Sequence, residues 1–91
     1  MTYPPGYVEE RIEILSALCR AGDCHIEITG IIAASPNEAA ATAALRKRLD
    51  TTESGARAVL EMQLRRLVPD LRDRLRAELE ELRAQAARDR A

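Results

Sequence analysis

Residues 53–67, ESGARAVLEMQLRRL, decide the fold of this 91-residue chain because they predict one helix with two contact faces. At 3.6 residues per turn, one face is an apolar stripe that can pack on a core. It consists of Ala56, Val59, Leu60, Leu64 and Leu67. The other face carries the small residues Gly55 and Ala58 and then Met62 and Arg66, a pattern typical of close approach by a partner helix. A helix enclosed in a bundle explains this second face equally well.

The composition is that of one small domain with a modest core. Hydrophobic residues make up 46% of the chain without a long apolar run, which predicts a soluble protein with no membrane span. Residues 1–6, MTYPPG, lack the basic and apolar regions of a signal peptide, so we expect a cytoplasmic location. The aromatic residues are two tyrosines, so the core must be aliphatic, and oligomerisation would add stability to so small a chain.

Charge is unevenly distributed although the net charge is only −1. Acids prevail in residues 1–45, whereas Arg and Lys prevail in residues 46–91. The densest basic spots, residues 46–48 and 65–66, have neither interleaved aromatic residues nor a nucleic-acid-binding motif, and solvated helix faces explain them better. We therefore expect weak or no direct DNA binding.

Capping residues and apolar spacing predict four helices. The first covers about residues 7–21 and the second residues 35–49, with Ser35 as cap, Pro36 at the first helical position and Glu38 in a capping box. Thr52 caps the helix of residues 53–67, which Val68-Pro69 stops.

Asp70 is expected to cap the last helix, at about residues 71–89. The β-branched residues of segment 24–33 permit either a strand or a helix.

The two terminal helices predict an all-α fold with an antiparallel two-helix coiled-coil stem. Each has a narrow apolar seam on an otherwise charged surface, which needs a partner helix. The seam consists of Val8, Ile12, Leu15, Leu71, Leu75, Leu79 and Leu82. Residues 1–6 are then an N-terminal arm and residues 7–91 one domain, whose small helical head covers about residues 23–67.

The chain resembles the distal coiled-coil and exit-gate (C-gate) region of the A subunit of bacterial DNA gyrase and topoisomerase IV. The runs RIEILSALCRAGD, IIAASPNEAAATAALRKRL and ESGARAVLEMQLRRL carry this resemblance over about residues 9–85. The most specific motif is the segment Leu-acid-Met-x-Leu-Arg-x-Leu at residues 60–67, which follows Ala56 and Ala58. The resemblance also favours a helix over a strand at residues 24–33.

Several positions depart from the family pattern. Val68-Pro69 replaces the usual Thr-Gly, and Asp50 replaces a glycine that ends the preceding helix, so turn geometry can differ at both places. Gly55 and Arg57 replace a glutamine pair common in the family, which can change partner choice.

The resemblance implies a mechanical role. In the full enzymes this region forms the gate through which a DNA duplex leaves, closed by a two-fold symmetric contact between two heads. It implies a noncatalytic homodimer here. The expected interface residues are Gly55, Ala58, Val59, Met62, Arg65 and Arg66. Two alternatives are a regulatory partner or competitor of a resident gyrase or topoisomerase IV A subunit, and one part of a split topoisomerase.

Enzyme activity is not expected. The family's catalytic tyrosine lies in a winged-helix domain and its metal-binding acids in another subunit, and neither context is present in this sequence. Cys19, Cys24 and His25 lack a fourth metal ligand, so we expect buried thiols and a surface histidine, with no metal, cofactor or disulfide. A catalytic triad, a carboxylate pair and a phosphate-binding glycine loop are also missing.

Overall fold

The computed structural model describes residues 3–90, which consist of helices and their connections, so the all-α prediction is confirmed. The helices are α1 (Tyr7–Asp23), α2 (His25–Ala34), α3 (Glu38–Leu49), α4 (Glu53–Leu60) and α5 (Pro69–Arg90). A 3-10 turn at Leu64–Leu67 lies between α4 and α5. Segment 24–33 is thus helical from His25 onward. The division into an arm at residues 1–6 and one domain stays a prediction, and its ends at residues 1 and 91 lie outside the described residues.

The start of α3 corrects one predicted cap. Asn37, not Ser35, is the cap, because its side chain accepts a hydrogen bond of 2.8 Å from the backbone N–H of Ala40. Helix α2 continues to Ala34, so the Ser35 hydroxyl instead donates to the Ile31 carbonyl at the end of α2 (2.8 Å). The cap of α4 is as predicted, since Thr52 Oγ1 accepts from the N–H of Gly55 at 3.1 Å.

The start of α5 also differs from the prediction. Pro69 is its first residue, where the missing N–H of proline costs no hydrogen bond, and Asp70 lies within the first turn rather than before it. The Val68 carbonyl accepts from the N–H groups of Leu71 and Arg72, both at 3.0 Å. The chain therefore leaves an extended Val68 directly into the helix.

Asp50 ends α3 in the left-handed conformation, with φ 49°. This conformation is strained for residues other than glycine, although aspartate tolerates it better than most. Arg20 supports the turn from outside, because its Nη1 donates to the Leu49 carbonyl at 2.8 Å.

Helix α1 is the centre of the core, with α5 on one side and α4 on the other. Helices α1 and α5 run antiparallel: Asp23 at the end of α1 pairs with Arg72 near the start of α5 (3.1 Å), whereas Gly6 and Val8 lie beside Gln85 and Ala86. Of the predicted seam, Leu15, Leu75, Leu79 and Leu82 are buried, Val8 and Ile12 pack against them partly buried, and Leu71 is half-buried. Because α4 also packs on α1, the two terminal helices belong to the same core as the head and do not form a separate stem.

The helix predicted for residues 53–67 is broken, and this corrects the prediction. It ends at Leu60; Gln63 is extended, and only Leu64–Leu67 form a further turn. Helix α4 runs alongside α1 in the same direction, from the level of Ala17 to that of Ala21. The chain must then reverse its direction to place Arg72 beside Asp23. Seven more helical residues would carry the chain about 10 Å past this position, so the tertiary packing overrides the local periodicity.

Candidate protein-interaction surface

Two of the predicted interface residues belong to the chain's own core. Gly55 is buried, and a Cβ added there would lie 3.1 Å from Ala17 Cβ and closer still to Thr51 Oγ1. Val59 is only 3% exposed and packs in the same core cluster. The small residues of α4 thus allow α1 of the same chain to pack closely. Gly55 and Val59 were predicted to contact a partner, and this is corrected because both are buried within the chain.

The other four predicted residues retain some accessible surface. Ala58 and Met62 are half-buried against the core cluster, whereas Arg65 and Arg66 are exposed. Arg65 Nε donates to Gln63 Oε1 at 2.6 Å, which ties it to the extended residue before the 3-10 turn. A partner can therefore reach Met62, Arg65 and Arg66 without unfolding the domain.

An apolar groove of about 260 Å³ separates α2 from the end of α4 and the 3-10 turn. Isoleucine, valine, leucine and alanine side chains make up most of its walls. The lining residues are Ala21, His25, Ile28, Thr29, Ile32, Ala33, Val59, Leu60, Met62, Leu64 and Leu67. The break after Leu60 forms one wall, because the 3-10 turn has three residues per turn and brings Leu64 and Leu67 to the same side.

Helix α2 is apolar apart from His25, Glu27 and Thr29, which is unusual for a helix at a surface. Its inner residue Ile28 is 2% exposed, but Ile26 is 79% exposed. Ile26, Gly30 and Ala33 lie opposite Ile28 at helical spacing, and a Cβ at Gly30 would meet no atom within 4 Å. The outer face of α2 is therefore an apolar strip without a partner in the described chain, residues 3–90.

Leu64, which lines the other wall of the groove, is also exposed, with 73% of its surface accessible. We name the whole region the α2–turn surface. It consists of Ile26, Gly30, Ala33, Met62, Leu64 and Leu67. Exposed apolar side chains beside an apolar groove are typical of protein contact sites.

Spacing alone places Leu64 on the core stripe and leaves the exposed Ile26 unassigned. One signal was available: HIEITGIIAA, residues 25–34, has one charged residue in ten, so a helix there cannot offer solvent a polar face. That reasoning required segment 24–33 to be a helix, which propensity alone left undecided. Leu64 was misassigned because its face depended on an unbroken helix.

Cys24 and His25 contact different backbone carbonyls. Burial raises the pKa of the Cys19 thiol, while the nearby Arg76 opposes that shift. Cys24 Sγ donates to the Arg20 carbonyl at 3.2 Å, and His25 Nδ1 lies 3.2 Å from the Gly22 carbonyl. Both thiols are free, and residues 3–90 contain no group of three or more metal-ligating side chains.

The structure thus defines a class of protein: a small all-helical domain with an exposed apolar surface beside a helix pair. Sequence relatives identify the region more closely. The chain is 40% identical to the DNA gyrase A subunit of Deinococcus deserti over 74 residues, which cover 81% of this chain and 9% of that protein. It is 38% identical to the DNA gyrase A subunit of Mycobacterium tuberculosis over 86 residues, covering 94% of this chain and 10% of that protein.

The DNA gyrase A subunit of Streptococcus pneumoniae is 38% identical over 76 residues, which cover 84% of this chain and 9% of that protein. No protein-family profile matches the chain. The chain spans about a tenth of the length of these relatives, and it is similar to a region of the gyrase A subunit, as the resemblance predicted. None of the helices in residues 3–90 is both long and apolar enough to cross a lipid bilayer.

Proposed function

We propose that this protein is a noncatalytic homodimerisation module that resembles the exit gate of type IIA DNA topoisomerase A subunits. The observation that carries the proposal is the exposure of Ile26 on α2 and of Leu64 on the 3-10 turn, at 79% and 73%, the two elements being separated by an apolar groove. Complete burial of a large aliphatic side chain stabilises a complex by roughly 1.5–3 kcal/mol. Two copies bring four such side chains, a gain comparable with the roughly 4–15 kcal/mol that association costs.

The polar residues beside this surface also suit pairing of two identical copies. Glu61 and Arg65 are both exposed and flank Met62 and Leu64. In a two-fold symmetric contact the same patch faces itself, so an acid and a base on one patch can pair across the axis. The exposed Arg66 adds a second base for this pairing.

The absence of catalysis is part of the proposal. The chain corresponds to about a tenth of the gyrase A subunit, and the resemblance assigns catalysis to other parts of those enzymes. The cytoplasmic location expected from the sequence stays a prediction.

Solution mass tests the proposal, with Leu64→Asp as the decisive variant. We expect the wild type to be a dimer in sedimentation equilibrium and Leu64→Asp to be a folded monomer, because a buried, unpaired carboxylate opposes association. Leu64 is a better target than Met62, which packs against the chain's own core. Tyr7→Asp is the matched control, since Tyr7 is exposed at the far end of α1.

A wild type that stays monomeric at all concentrations would rule out the homodimer. If both variants remain dimers, the interface lies outside the α2–turn surface. Dissociation of both would indicate a charge effect without a specific site.

A second candidate function is regulatory binding to a resident gyrase or topoisomerase IV A subunit. The identity of 38% over 94% of the chain favours it, because a similar head can compete for a two-fold contact. Mixing with the purified gyrase A subunit should then give a mixed species and alter supercoiling, and Leu64→Asp should abolish both effects. If neither occurs with the wild type, this function is excluded. A role as one part of a split topoisomerase instead predicts that supercoiling depends on the remaining parts being supplied as separate chains.

A further inference from the structure

The segment between α4 and α5, residues 61–68, has a conformation that its own sequence does not favour. Residues 61–67 consist of Glu, Met, Gln, Leu and Arg, which are among the strongest helix formers, and they include neither glycine nor proline. The segment nevertheless contains an extended Gln63 and a 3-10 turn instead of an α-helix. Such a conflict between local preference and tertiary structure is expected at strained or functional sites.

Helix α5 is held mainly by one neighbour, so a second copy of the chain can supply the same contacts. Within residues 3–90, every hydrogen bond between an α5 side chain and another helix goes to α1, at 3.0–3.3 Å. These bonds join Arg72 and Arg76 to Asp23, Glu78 to Arg11, and Arg83 to Ser16. The buried leucines of α5 belong to the core cluster around α1. Helix α1 of an identical chain offers the same groups at the same spacing.

The conformation of residues 61–68 decides which copy of α1 the helix α5 can reach. If α4 continued as a helix to Leu67, its end would move about 10 Å beyond its present position. Arg72 would then lie roughly two helical turns past Asp23 of its own chain, and α5 would lose its register on that chain's α1. Val68 would still end the longer helix, because a residue before proline avoids the α conformation. Helix α5 would therefore bend away at Val68 and be available to another copy.

We infer that residues 61–68 are the hinge of a domain exchange, in which α5 of each copy packs on α1 of the other copy. Both copies keep the α1–α5 contacts of the monomer, so the exchange costs little beyond the loss of freedom on association. The longer helix also brings Leu64, which is 73% exposed in the present fold, to the same side as Leu60. A short hinge held against its local preference promotes exchange of this kind. The exchanged dimer does not depend on the α2–turn surface.

Refolding at two concentrations in an Ile26→Asp background tests the inference. This substitution opposes pairing through the α2–turn surface but leaves the hinge unchanged, so the result is independent of the homodimer proposed above. Chains unfolded in urea and refolded at about 1 mM should form a dimer, and chains refolded at about 10 μM should be monomers. The dimer should persist after dilution to about 10 μM, because its separation requires α5 to leave α1.

Isotope-filtered NMR identifies the exchanged helix in that dimer. The sample is refolded from an equal mixture of ¹³C-labelled and unlabelled chains. Nuclear Overhauser effects between the two kinds of chain should join the methyl groups of Leu75, Leu79 and Leu82 to those of Leu15 and Leu18, all of which lie in one core cluster. A dimer without these contacts between chains would overturn the inference.

Gln63→Pro is the decisive variant, with Gln63→Ala as its matched control. Gln63 already has φ −70°, and its N–H donates to no carbonyl in the described part of the chain, so the proline monomer should fold. Within a longer α4 the proline would break the helix and lower the association constant on refolding at least about a hundredfold. Gln63→Ala should change that constant by less than about threefold. Equal dimer formation by the two variants, or no dimer with Gln63 intact, would contradict the exchange.

Discussion

Helices α5 and α2 differ in a way that their compositions do not suggest. Helix α5 is strongly charged, yet its leucine seam is buried on α1, whereas the largely apolar α2 buries only Ile28. In α5 the apolar residues are few but lie on one line, so a single neighbour covers them. In α2 they surround the helix, and the chain supplies neighbours for only part of that surface. Burial in a small domain therefore follows arrangement rather than total hydrophobicity.

The largest effect should come from removing a buried leucine side chain from α5. Leu79 is 5% exposed between α5 and α1, and Leu79→Ala should lower the free energy of unfolding by about 2–5 kcal/mol, through lost burial and the cavity that remains. Urea denaturation followed by circular dichroism measures this change. Arg74→Ala, on the solvent side of the same helix, should change it by less than about 0.5 kcal/mol. Equal effects of the two substitutions would contradict the α1–α5 packing.

A pair of substitutions in α2 separates its two faces. Ile28→Ala should cost about 2–4 kcal/mol of stability, whereas Ile26→Ala, two residues away, should leave the stability of the monomer unchanged within about 0.5 kcal/mol. Both are best measured in the Leu64→Asp background, where association does not contribute. In the wild-type background Ile26→Ala should instead weaken the dimer. A large loss of monomer stability for Ile26→Ala would mean that its side chain packs within the chain.

Two glycines in helices should respond oppositely to alanine. Gly55→Ala should destabilise the domain by about 1–3 kcal/mol, because its Cβ would press on Thr51 and Ala17. Gly30→Ala should stabilise it by about 0.5–1 kcal/mol, since the Cβ meets open space and alanine is the better helix former. Thermal unfolding of each variant in the Leu64→Asp background measures both signs. A stabilising Gly55→Ala would show that α4 can move away from α1.

Asp50→Gly should raise the free energy of unfolding by about 0.5–1 kcal/mol. Glycine removes the strain of a left-handed residue and also an acid from the negative end of the α3 dipole. Chemical denaturation gives the value, and Asp50→Ala provides the comparison, because it removes the charge but keeps a Cβ. If alanine stabilises as much as glycine, charge rather than backbone conformation sets the effect.

The smallest effect concerns the ion pair that ties α2 to α3. The Arg48 guanidinium, which donates to the Glu27 carboxylate (Nη2 to Oε1, 2.8 Å), lowers the pKa of Glu27. Because the folded pKa is lowered, the contribution is present above the ordinary pKa of glutamate and is lost as the pH falls through the lowered value. An NMR titration of the Glu27 side chain should show the lowered pKa, and Arg48→Gln should restore the ordinary one. An unchanged pKa in the variant would assign the shift to another cause.

The sequence by itself determined the features that depend on local chemistry and on single faces. The all-α class and the Thr52 cap follow from spacing and capping, and the sequence runs quoted above carried the resemblance to the gyrase A subunit. These signals act over a few residues or along one helix, so they can be read without knowing what packs where.

Only the tertiary structure decided the break after Leu60, the burial of Gly55 and Val59, and the exposure of Ile26 and Leu64. Each depends on where α1 lies relative to another element. Helix α4 ends early because the chain must reverse direction to bring Arg72 beside Asp23. Its face of small residues is covered because α1 of the same chain packs against it. Local periodicity shows that a face will be covered, but the three-dimensional path of the chain selects the neighbour that covers it.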